Sequence, residues 1–126
     1  MTNVAQLGIL ILLSLSLLLH FSILLKIVPY HFVWGGRLKT DKEMYRFEMV
    51  SILINALFVV VILVQSKFIE IGLPQKIVTY TLWLMTGLFV LNTLGNLVSK
   101  NKFEKRVFTP VTILLSVFSL WLALSN

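Results

Sequence analysis

Residues 4–25 read VAQLGILILLSLSLLLHFSILL, a run of 22 residues without Asp, Glu, Lys or Arg. At about 1.5 Å per residue, a helix of that length crosses the roughly 30 Å hydrocarbon core of a bilayer. Three further runs follow it: Met49–Val64, Ile77–Val98 and Val107–Leu124. The second has 16 residues and the fourth 18, so both draw on polar flanking residues to span. All are continuously apolar instead of alternating, which predicts helices and not barrel strands. With their flanks the spans are expected at about 4–28, 47–66, 76–98 and 106–124. The expected fold is an all-α membrane protein: four transmembrane helices forming a compact bundle of two helical hairpins, in a single domain over 1–126.

Composition points the same way, with 58% apolar residues, 13% charged residues and a mean hydropathy of +0.94. A soluble domain carries about a quarter charged residues, and a small one exposes more surface than so few polar groups cover. The chain has no cysteine, which removes disulfides, thiolate metal sites and cysteine nucleophiles. No cofactor or metal is expected. The first run has no Lys or Arg before it, exceeds a typical signal-peptide core and lacks an Ala-x-Ala cleavage site, so it reads as a span.

Nine of the eleven basic residues lie in or beside two linkers: Lys26, Arg37, Lys39, Lys42 and Arg46, then Lys100, Lys102, Lys105 and Arg106. The opposite side holds Lys67 and Lys76. The positive-inside bias predicts both basic linkers in the cytoplasm and both termini outside. The net charge of +6 then serves orientation and contact with membrane lipids, through anionic headgroups at the cytoplasmic face. Nucleic acid is not an expected partner, because no soluble basic face is available.

Polar residues inside lipid are costly, so their helical phase indicates the bundle interior. Gln6, Ser16 and His20 share one face of span 1, with a break expected near Pro29. His20 is expected near mid-span or a little toward the cytoplasm, in an interhelical hydrogen bond or a proton relay. Glu48 and Asn55 stack two turns apart on span 2. Glu48, at the cytoplasmic mouth near Arg46, reads as an interfacial ion pair. Asn55 needs partners inside the bundle.

On span 3, Asn92, Asn96 and Ser99 stack on one face beside Gly95, while Thr79, Thr86 and Thr93 repeat every seven residues. Span 4 opens at Thr109–Pro110 or, to reach across the membrane, earlier near Phe103. Along it Thr112, Ser116, Ser119 and Ala123 form a small-residue face expected to mark a close helix–helix contact.

The cytoplasmic ends bring polar residues to one level: His31, Trp34, Gly35, Gly36, Arg37, Glu48, Asn92, Asn96, Glu104 and Arg106. The order Trp34-Gly35-Gly36, Asn92-x-x-Gly95-Asn96 and Thr109-Pro110 resembles a group of small four-span bacterial membrane proteins, a domain family of unknown function. That resemblance implies a bacterial inner-membrane protein and supplies no activity. The leading expectation is a non-enzymatic bundle that binds or passes a small or lipid-like ligand, with His20, His31, Glu48, Asn55, Asn92 and Asn96 at its polar site. An alternative is a structural or accessory subunit, with a second copy or a partner membrane protein against span 4. A third is a membrane-embedded lipid-modifying enzyme using Glu48 and His31 as acid and base. The chain lacks the metal or nucleophile constellation usual for that chemistry.

Overall fold

A computed structural model of the chain describes residues 2–30, 39–99 and 102–126. Four helices form: α1 (Thr2–Leu24), α2 (Asp41–Gln65), α3 (Gln75–Leu97) and α4 (Lys102–Ser125). Each is long and apolar enough to cross a membrane, and among the described residues there is no strand.

Boundaries depart from the apolar runs where capping chemistry competes with hydropathy. α2 starts at Asp41, well before Met49, because Thr40 caps it. The Thr40 hydroxyl accepts from the Glu43 backbone N–H at 3.2 Å, and Asp41 and Glu43 place negative charge on the positive end of the helix dipole. α1 ends at Leu24, short of the expected 28, and the chain turns through Lys26 at φ 62° before it reaches Pro29. α4 begins at Lys102 and carries Pro110 inside it, the longer of the two starts.

Consecutive helices pair, α3 most extensively with α4 and α1 with α2. α1 also lies against α4 and joins the two hairpins, while α2 and α3 meet over a narrower contact. That narrow side is bridged by Phe58 and Phe89, edge to face with ring centres 5.9 Å apart. Ala5, Ile9 and Leu13 of α1, Phe58 and Ile62 of α2, Val78, Leu82 and Met85 of α3, and Leu115 and Leu122 of α4 form the main core. The outer faces present Leu7, Ile11, Leu15, Leu53, Leu84, Leu91 and Val117, apolar surface that lipid covers and water would not. Lipid tails are as apolar as leucine, so packing and interhelical hydrogen bonds, more than burial from water, must hold the helices together.

The α1–α4 seam depends on Gly8. A Cβ built there would lie 2.6 Å from the Phe118 ring. Gly8→Ala is therefore expected to lower the unfolding midpoint in mild detergent, at a cost of about 1–3 kcal/mol for overpacking. In a Phe118→Leu background the same change should be nearly neutral. An equal loss in both backgrounds would show that this contact does not set the seam.

Candidate functional site

Glu48 lies seven residues into α2, about 10 Å along its axis. It is fully buried, and its Oε2 is 2.5 Å from Nδ1 of His20 on α1, whose side chain is 17% exposed. Such a contact holds a hydrogen between the atoms: either Nδ1–H donates to the carboxylate, or a protonated Glu48 donates to Nδ1. On the linker side, Met44 lies one turn before Glu48 and Ile23 one turn after His20, both buried in a small cluster with Leu19, Leu24 and Phe108 packed against it. This apolar cluster lies one turn nearer the helix ends than the pair, and the imidazole is the partly exposed member of the pair. Outside the cluster, Lys26 Nζ bonds Asp41 at 2.6 Å and sits 5.9 Å from the centre of the Tyr45 ring. The hydrogen bond to Asp41 is the main cause that holds the Lys26 pKa above its ordinary value. As an exposed pair it adds little stability.

The six expected ligand residues do not form one cluster. His20 and Glu48 meet, but His20 stands four residues from the end of α1, nearer the linkers than mid-span. Glu48, expected in an interfacial ion pair, is fully buried and meets His20 of α1. Asn55 is half-buried, and its amide donates to the Ser51 carbonyl of its own helix at 2.7 Å. Asn96 is buried between α3 and α4, where its Nδ2 reaches Thr112 Oγ1 at 3.3 Å. Asn92 is exposed on the outer face of α3, because at this end the buried side of the helix runs through Phe89 and Asn96. It is therefore apart from the buried polar residues. His31, with Trp34, Gly35, Gly36 and Arg37, lies outside the described residues, as does the side chain of Glu104.

The α3–α4 contact is built on Thr112. With its own hydrogen on the Phe108 carbonyl at 3.0 Å, its oxygen accepts from Thr93 at 2.9 Å and from Asn96. Thr79 and Thr86 point their hydroxyls at their own helix, to the carbonyls of Gln75 and Leu82. Ser119 and Ala123 are buried and Thr112 and Ser116 half-buried, so the small-residue face of α4 is covered largely within the chain. Thr109 lies inside the helix and not at its cap, with its hydroxyl buried and unpartnered.

A second α1–α2 pair went unrecognised: Gln6 Nε2 donates to Gln65 Oε1 at 2.7 Å near the other membrane face. The signal is arithmetic. In an antiparallel pair the partner numbers sum to a near-constant, and 6 with 65, 20 with 48 and 26 with 41 give 71, 68 and 67.

Family models, curated proteins and solved structures were compared with the chain, and none matches. Among the described residues no group of three metal-ligating side chains occurs.

The pair makes a quantitative prediction. His20→Leu removes the imidazole from a buried acid, and single substitutions that break a buried charged pair cost about 3–5 kcal/mol, whereas hydrogen bonds between membrane helices average about 0.6 kcal/mol. In a double-mutant cycle of His20→Leu and Glu48→Leu followed by unfolding in detergent, the double variant is expected to be more stable than His20→Leu alone. Additive losses would mean that the two side chains are not coupled.

Proposed function

We propose that this protein is a non-enzymatic, multi-pass protein of the bacterial inner membrane that binds or passes a small or lipid-like ligand. Its polar site lies on the cytoplasmic half of the bundle, between α1 and α2. In this reading both basic linkers face the cytoplasm and both termini face outward, as the distribution of Lys and Arg favours.

The observation that carries the proposal is the complete burial of Glu48 against His20. An ionisable residue inside a membrane helix is expensive and marks a site by default. The imidazole edge presents a polar group to whatever enters beside it, and the carboxylate behind it favours a ligand that donates hydrogen bonds or carries positive charge. Asn55, Asn92 and Asn96 leave the proposed contact set, since the first is bonded to its own helix, the second faces outward and the third bonds Thr112. An accessory role through the face of α4 is less favoured, because that face is largely covered by the chain's own helices. Acid–base catalysis is less favoured too, since Glu48 is fully buried and engaged by His20.

Native mass spectrometry of the full chain released from mild detergent tests the proposal. Wild type is expected to retain a small molecule or a selected lipid that Glu48→Gln and His20→Gln each lose by about tenfold, one decade being 1.4 kcal/mol. Asn96→Leu should keep that ligand even where it weakens the fold. A bare wild-type protein, or variants that lose stability while the retained ligands stay the same, would assign the pair to helix packing alone.

A further inference from the structure

Away from His20 and Glu48, the turn between α3 and α4 gathers charge. The run from Lys100 to Arg106 holds four basic residues and one acid, Glu104. Lys102, Lys105 and Arg106 occupy positions i, i+3 and i+4 at the start of α4, and with Leu97 at the end of α3 they line a cleft of about 420 Å3. Like charges at this spacing repel across a helix turn, and cations at a helix N-terminus oppose its dipole. Both penalties fall if an anion sits among the three side chains.

Leu97 gives that anion its character. It belongs to an exposed stripe on α3, with Leu94, Val90, Gly87 and Trp83 at spacings of three and four residues. From Leu97 to Val90 the stripe runs about 10 Å along the helix axis. One leaflet of hydrocarbon is roughly 15 Å thick, so the stripe leads from the cleft well into the leaflet. A soluble anion would use the charges and leave the apolar stripe unused.

We propose that this cleft is a binding site for an anionic phospholipid, its phosphate held by Lys102, Lys105 and Arg106 and an acyl chain laid along the Leu97–Leu94–Val90 stripe. Long flexible lysines reach a phosphate as point charges, and the Arg106 guanidinium can hold two of its oxygens at once. The small stripe residue Gly87 leaves room for the chain to pass toward Trp83.

The test uses the full chain in mild detergent, titrated with phosphatidylglycerol or phosphatidylcholine and read by native mass spectrometry. Wild type is expected to retain phosphatidylglycerol preferentially. Lys102→Gln/Lys105→Gln/Arg106→Gln should lower that retention by at least about tenfold, each basic side chain at a membrane surface being a substantial share of headgroup attraction. The control, Lys39→Gln/Lys42→Gln/Arg46→Gln, removes three exposed charges at the start of α2 and just before it and should stay within about twofold of wild type. Equal losses in both triple variants would overturn the site in favour of diffuse surface charge, and no loss in either would overturn it outright. Displacement of the lipid by excess inorganic phosphate would reassign the cleft to a soluble anion. Should the triple variant fail to fold, Lys105→Gln and Arg106→Gln singly are read by the same criteria, and Arg106→Lys is expected to fall between wild type and Arg106→Gln.

Discussion

The architecture depends on burying one carboxylate between two helices and giving it a partner there. Glu48 has no exposure, and the partner is His20 on the neighbouring helix. In a solvent as apolar as the helix surfaces, leucines on α1 and α2 do not select one register over another. The acid–imidazole contact does. A slip of one turn would part the carboxylate from His20, and at the far end it would separate Gln6 from Gln65. The two pairs are 14 residues apart on α1, about 21 Å, so they fix the relative height of the helices near both membrane faces.

The other hairpin solves the same problem without charge. Thr112 accepts from Thr93 and Asn96 and returns its own hydrogen to its helix, which satisfies several groups with a single hydroxyl. This neutral network tolerates small adjustments, because a threonine hydroxyl has carbonyls of its own helix as alternative partners. The joint between hairpins uses shape instead: Gly8 opens space on α1 for the Phe118 ring of α4. The buried acid is thus held between α1 and α2, while Phe108 of α4 packs against the Ile23–Met44 cluster beside it.

Hydropathy made the four helices legible, because a run of about twenty apolar residues has few alternatives. The start of α2 was equally present, in Thr40 and Glu43 at capping-box spacing, but a search for apolar runs passes over it. His20 and Glu48 could each be identified as inward-facing from phase, yet phase is a property of one helix. Their meeting depends on the antiparallel register, which only two or more pairs taken together reveal. Asn92 shows the limit from the other side. It shares a stripe with Asn96 on a helical wheel, but whether a neighbour covers that stripe at a given height depends on how the helices diverge, and here Asn96 is covered and Asn92 is not.

Stability alone does not account for an acid and an imidazole at this position. Apolar side chains of similar volume commonly replace a buried ionic pair with no loss, or with a gain of about 1–4 kcal/mol. Packing between α1 and α2 is already supplied by Ile9, Leu13, Phe58 and Ile62, and their register by Gln6 and Gln65 as well. What the pair adds is a hydrogen held between two groups, one fully buried and one partly exposed. A group that donates to the carboxylate can take the place of that hydrogen bond only if His20 turns away, so occupancy of the site and contact between the two helices are linked. Ligand binding at this position would therefore be felt at the α1–α2 contact, the place where the chain has invested its only buried carboxylate among the described residues.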